Sequence, residues 1–179
     1  MHNIYCICGR SGSGKTTLAD GLEAEDFKVI QSYTTRPPRY KGESGHTFVT
    51  EAQFKKIGPL VAYTKINGYE YGVPAKDIDE NDVYVIDVVG IRELKRKYKG
   101  KKGIKVIGLG LSETEAANRM RQRGDTKENI KKRLNHDREA FADVEKISDF
   151  FIDTEGVSVP DILNSAVEYI YRIETEGVF

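Results

Sequence analysis

The chain has no tryptophan, only two cysteines among its 179 residues, and no net charge, with 28 basic side chains set against 28 acidic ones. Each shortage excludes something. Balanced charge argues against wholesale attraction to a polyanion, so no nucleic-acid partner is expected, and any phosphate site must come from locally clustered arginines. The one basic run, from Lys95 to Lys105 around Gly100 and Gly103, reads as a solvated helix end and loop. In an extended segment Cys6 and Cys8 share a face about 6–7 Å apart along the chain. That is poor geometry for a disulfide, and two cysteines alone do not make a metal site. Two buried free thiols fit a reducing compartment. No apolar stretch approaches the roughly 20 residues that span a bilayer, and the N-terminus runs into structure without a leader pattern. The expectation is a cytoplasmic protein with no membrane partner, as monomer or homodimer. The length suits one α/β domain with small insertions.

What the chain does have is concentrated at its start. Gly9-Arg10-Ser11-Gly12-Ser13-Gly14-Lys15-Thr16 fits the P-loop pattern G-x-x-x-x-G-K-[ST], and the apolar run Ile4–Cys8 leads straight into it. A phosphate cradle needs a buried strand, a turn whose N–H groups point inward, and a helix with a partially positive N-terminus. All three are present: the apolar run, glycines free to take positive φ, and Thr16-Thr17-Leu18-Ala19-Asp20-Gly21-Leu22 at helical spacing. Gly9, Ser11, Gly12, Ser13, Gly14, Lys15, Thr16 and Thr17 are therefore the expected ATP-binding residues. Lys15 would reach the β- and γ-phosphates, and the Thr16 hydroxyl would ligate Mg²⁺.

Beyond the loop, short apolar runs alternate with helical patterns. Strands are expected at 4–8, 28–30, 83–88, 104–109 and 150–152, and helices at 15–23, 91–98, 113–123, 127–141 and 159–173. Continuous apolar strands between amphipathic helices indicate a mostly parallel sheet covered on both faces. Ser112-x-x-Glu115 and Ser158-x-x-Asp161 resemble capping boxes. Two stretches break the rhythm: residues 32–80, rich in Gly, Pro, Tyr, Thr and Lys, and residues 120–137, dense in arginine. Both read as modules inserted at the strand C-terminal edge, where open α/β sheets bind ligands.

In the first module, Arg36 and Arg39 flank a stiff Pro37-Pro38 pair, so both guanidiniums start from a nearly fixed backbone. They would hold a phosphate or carboxylate bidentately, or else decorate a surface loop. Asn67-Gly68 reads as a hairpin turn flanked by tyrosines. His136 beside Asp137 reads as a solvated helix-end pair, and His46 as a residue that can touch an acceptor.

In this order the motifs resemble the guanylate kinase family: the P-loop, Ser32-x-Thr34-Thr35-Arg36-x-Pro38-Arg39, Gly42-Glu43, Tyr71-Gly72, the strand end Ile86-Asp87-Val88-Val89-Gly90, then Arg119, Arg123-Gly124 and Arg133-Leu134. The resemblance spans nearly the whole chain. It implies an α/β fold with a parallel five-stranded P-loop kinase core, helices on both faces, a nucleoside-monophosphate-binding insertion and an arginine-rich lid. The core would comprise residues 1–31, 81–118 and 142–179, the insertion 32–80 and the lid 119–141. It also implies roles. Arg36, Arg39 and Tyr71 would bind the acceptor's monophosphate and Ser32 its base. Asp87 would sit near Mg²⁺ and the acceptor, and Arg119, Arg123 and Arg133 would clamp the donor phosphates. The implied activity is Mg²⁺-dependent transfer from ATP to GMP or dGMP.

The chain departs from the family where the base is read. Counting back nine residues from Tyr71 finds Ala62 in place of a glutamate, and Val73 stands where a small hydroxyl residue follows Tyr-Gly. After Glu43 the loop is shortened and offers His46 or Thr47 rather than tyrosine. Glu70 and Thr64 are the candidates to read the base instead. A phosphosugar kinase of the same family, like ribose 1,5-bisphosphate phosphokinase, and a non-catalytic interaction module are the alternatives.

Overall fold

The computed structural model describes residues 1–38 and 40–176. Strand β1 (Asn3–Gly9) leads through the glycine loop into helix α1 (Lys15–Ala24). Next come β2 (Ser32–Thr34), β3 (His46–Phe48), the short α2 (Glu51–Phe54), β4 (Leu60–Ile66), β5 (Tyr69–Pro74) and α3 (Ala75–Glu80). Then follow β6 (Val83–Val85), α4 (Val88–Lys97), β7 (Gly103–Gly110), α5 (Glu113–Gln122) and α6 (Lys127–Ala140). The chain closes with α7 (Val144–Ile147), β8 (Phe150–Asp153) and α8 (Val159–Glu176).

The core sheet is parallel throughout, in the order β6-β1-β7-β8. Where a strand was expected at 28–30 there is a single parallel bridge between Val29 and Val83, so the fifth position is marked rather than filled. The segment has no room to extend, because Ser32 already belongs to a different sheet. Strict alternation along β1 divides the core. Tyr5 and Ile7 pack with Leu18 and Leu22 of α1 and Ile162, Ala166 and Ile170 of α8. Ile4, Cys6 and Cys8 face the other way, toward Ile91 and Leu94 of α4 and the inner end of β4–β5. Each fully buried aliphatic side chain here contributes about 1.5–3 kcal/mol. Both thiols are free and buried; burial pushes the Cys6 thiol far up and that of Cys8 up to about 12.

Beta1 is also tied to the far end of the chain. The Glu174 carboxylate in α8 accepts from the backbone N–H of His2 (2.6 Å) and Asn3 (3.1 Å), from Asn3 Nδ2 (2.8 Å) and from the Tyr5 hydroxyl (2.9 Å).

Residues 32–74 form a second sheet, β3-β2-β5-β4, in which β2–β3 is parallel and the other pairs antiparallel. Asn67 (φ 52°) and Gly68 (φ 87°) make the β4–β5 turn, where positive φ at both positions matches the strand twist. The third apolar cluster joins Ala116, Ala117 and Met120 of α5 to Ile130 of α6. No helix among the described residues is long and apolar enough to cross a membrane.

Candidate active site

The glycine loop is shaped by contacts that only glycine allows. A Cβ on Gly9 would lie 2.6 Å from the Leu109 carbonyl oxygen and 2.7 Å from Ser13 Oγ. Gly14, the residue that starts α1, has φ 90°, which L side chains rarely adopt. The first bond of α1 runs from Leu18 N to Gly14 O (2.8 Å). The N–H groups of residues 15–17 therefore project from the positive end of the helix, with Thr16 and Thr17 exposed beside them. Ser13 Oγ is buried and has no hydrogen-bond partner among the described residues.

Lys15 Nζ folds back over the loop and donates to the carbonyls of Gly9 (2.6 Å) and Arg10 (2.8 Å). The Phe141 ring lies beneath it, 5.8 Å away. Burial pushes the Lys15 ammonium down to about 8; Arg133 and Arg123 push the same way and Asp137 opposes them. A lysine held this way is a cation short of an anion.

Asp87 caps α4, with Oδ1 accepting from Gly90 N at 2.6 Å. Strand β6 ends at Val85 and α4 begins at Val88, earlier than the apolar run Val83–Val88 suggests, because this cap turns the chain.

In the second sheet, alternation places His46, Ser32, Tyr71, Thr64 and Ile66 on one wall of a cleft of about 420 Å³, which also takes in Ser11, Lys15, Asp87 and the α6 side chains of Arg133 and Asp137. Arg36 is buried and held on four sides. It donates from Nε to the Tyr71 hydroxyl (3.1 Å), from Nη1 to Pro37 O (2.8 Å) and Glu43 (3.1 Å), and from Nη2 to Glu43 (2.8 Å), with Phe48 at 5.3 Å. One N–H of Nη2 remains for a ligand. The Tyr71 hydroxyl accepts from Arg36, so its own proton is free to be donated outward. Ser32 Oγ lies 2.8 Å from His46 Nδ1, and the His46 ring packs edge-on to Tyr71 at 5.6 Å. Arg39 lies outside the described residues.

The base-reading departures resolve differently from one another. Ala62 and Val73 pair across β4–β5 and are buried in the core, not in the cleft. Of the two substitutes, Thr64 lines the cleft. Glu70 points to the opposite face, where it accepts from the Tyr63 hydroxyl at 3.1 Å.

The three arginines expected in a lid are placed unequally. Arg133 lines the cleft. Arg123 is exposed and paired with Asp125. Arg119 bonds to Glu115 (3.1 Å), the Thr154 carbonyl (2.8 Å) and, at 3.4 Å, the Gly12 carbonyl, which braces the back of the glycine loop. One expectation is corrected. Asp137 is not a solvated helix-end residue but 4% exposed, and its Oδ2 accepts from Ser11 N at 2.7 Å. Helix α6 lies across the cleft, so the inner face of its third turn meets the loop. No group of three or more His, Cys, Asp or Glu that could hold a metal occurs among the described residues.

No protein-family profile matches the chain. Among curated proteins it is 35% identical over 145 residues to the guanylate kinase of Oleidesulfovibrio alaskensis, covering 73% of this chain and 69% of that protein. It is 31% identical over 184 aligned positions to that of Caldanaerobacter subterraneus subsp. tengcongensis, covering 95% of this chain and 85% of that one. A crystal structure of guanylate kinase from Anaplasma phagocytophilum superposes with a TM-score of 0.70 at 23% identity, over 96% of this chain and 85% of that chain, which bears on the fold alone.

Proposed function

The chain belongs to the guanylate kinase family, and from that premise we propose that it is a nucleoside monophosphate kinase moving the γ-phosphoryl of ATP to GMP or dGMP. One observation carries this reading: a single cleft joins the glycine loop and Lys15 to the Arg36–Tyr71 pair. Donor and acceptor phosphates placed on those groups face each other. The curated relatives named above are guanylate kinases, which supports a nucleotide acceptor over a phosphosugar or a purely structural role.

The chemistry needs no general base. The second pKa of a phosphomonoester is about 6, so the attacking oxygen is already ionised near neutrality. The obstacle is repulsion between two anions, and this chain meets it with Lys15, the helix N-terminus, Arg133 and Arg123 on the donor side and Arg36 on the acceptor side. Tyr71 would donate to the acceptor phosphate, Arg39 would add a second guanidinium, and Ser32 and Thr64 would face the base. The exposed Thr16 hydroxyl and the Asp87 carboxylate are hard oxygen donors that would hold Mg²⁺. When bound, the ion offsets phosphate charge. The two buried, free thiols support a reducing compartment such as the cytoplasm for this activity.

A coupled assay of ADP release across GMP, dGMP, the other nucleoside monophosphates and ribose 1,5-bisphosphate tests the reading. ADP release with GMP and dGMP is expected; none with either would end it. A second result is expected from Lys15. Between its depressed pKa of about 8 and the ordinary value of about 10.4, the ammonium is largely deprotonated in the free protein. Triphosphate favours the charged form, so ATP binding at pH 9 should take up close to one proton. Titration calorimetry in buffers of different ionisation enthalpy reads this directly, and an absence of buffer dependence would place Lys15 away from the phosphates.

A further inference from the structure

Nothing in the proposed chemistry uses Asp137, yet its carboxylate is one of the most deeply buried charged groups of the chain and reaches across 126 residues to a loop amide. We infer that Asp137 sets the preference for a nucleoside triphosphate over a diphosphate, by occupying the place of the terminal phosphoryl group when none is bound. This rests on the donor reading given above.

The placement follows from the cleft. The transferable phosphoryl must face the acceptor, so it lies at the end of the glycine loop that opens toward Arg36 and Tyr71. Ser11, Lys15 and Asp137 all line that same cleft. The 2.7 Å bond from Ser11 N–H thus ends on a carboxylate at the acceptor-facing end of the cradle, and Asp137 also acts electrostatically on Lys15. A carboxylate is a small stand-in for a phosphoryl group: both are anionic, and both accept from backbone N–H. The two cannot share one amide, and as like charges at close range they repel each other. A diphosphate ends before this point and leaves the carboxylate where it is. A triphosphate has to displace it. After transfer, the carboxylate returns to Ser11 as the diphosphate product forms.

The competing view is that the bond only braces α6 against the loop. Asp137→Asn separates the two, since its Oδ1 still accepts from Ser11 while the charge is gone. Binding of a non-hydrolysable ATP analogue and of ADP is measured by calorimetry on the unsubstituted protein, Asp137→Asn and Asp137→Ala, with melting curves on each. The expected result is about tenfold tighter binding of the triphosphate analogue in both variants, with ADP changed by less than twofold. Unchanged triphosphate binding, or equal changes for both nucleotides, overturns the inference. Should either variant fail to fold, the unsubstituted protein still decides. The Ser11 amide NMR resonance should shift with the triphosphate analogue and hold its position with ADP, and equal shifts with both refute it. If the unsubstituted protein bound neither nucleotide, the donor reading itself would fall.

Discussion

Replacing Lys15 by methionine is expected to lower kcat by about a hundredfold to a thousandfold while leaving the melting temperature unchanged or raised. The two halves of that expectation come from the same geometry. The ammonium is desolvated and donates to two carbonyls. The folded chain therefore binds fewer protons at Lys15 than the unfolded one between pH 8 and about 10.4. Stability gained from this group rises with pH through that window, and below it the charged lysine costs the fold. Methionine keeps the bulk over Phe141 and removes the charge. Turnover suffers because the phosphoryl group in flight loses its nearest cation. Steady-state kinetics and thermal melts on one preparation check both halves; a variant with near-normal kcat would remove Lys15 from the chemistry.

Arg36→Met should produce the largest loss of stability of any single change in the second sheet. The Arg36–Glu43 pair is two-pronged, and the two side chains are only 9% and 6% exposed. Removing the guanidinium takes a two-pronged partner from a buried carboxylate, at a cost of about 1.5–3 kcal/mol for the lost charged hydrogen bonds. The acceptor KM should also rise, because Tyr71 loses the donor that orients its hydroxyl. A double variant, Arg36→Met with Glu43→Gln, separates the two consequences. Stability should largely return, whereas acceptor affinity should not. If the double variant recovers both, Arg36 is a structural residue only.

The parts of this molecule that could be read from its sequence are those in which local pattern and final contact coincide. Beta1, the glycine loop and α1 are contiguous, and the loop's shape is written in glycines that nothing else can replace. Helix α5 begins where Ser112 caps the N–H of Glu115. The second sheet was legible only at its Asn67-Gly68 turn. Its strands β2 and β3 are three residues each, too short for alternation to register, and they are held by partners far along the chain. Helix α4 begins three residues before the expected 91, because Val88 and Val89 prolong the apolar run past the Asp87 cap. Asp137 departs from the sequence expectation for a different reason. Its neighbours in sequence are polar, and only the path of α6 over the loop decides which of them is buried. Thr64 and Glu70 likewise needed strand register before one could be assigned to the cleft.

The grip of Glu174 on residues 2, 3 and 5 bears on how the chain is made. Strand β1 leaves the ribosome 171 residues ahead of this partner, and its sheet neighbours β6 and β7 also follow it. The phosphate cradle's root is therefore made well before it is secured, so a growing chain carries the glycine loop long before it can hold a nucleotide.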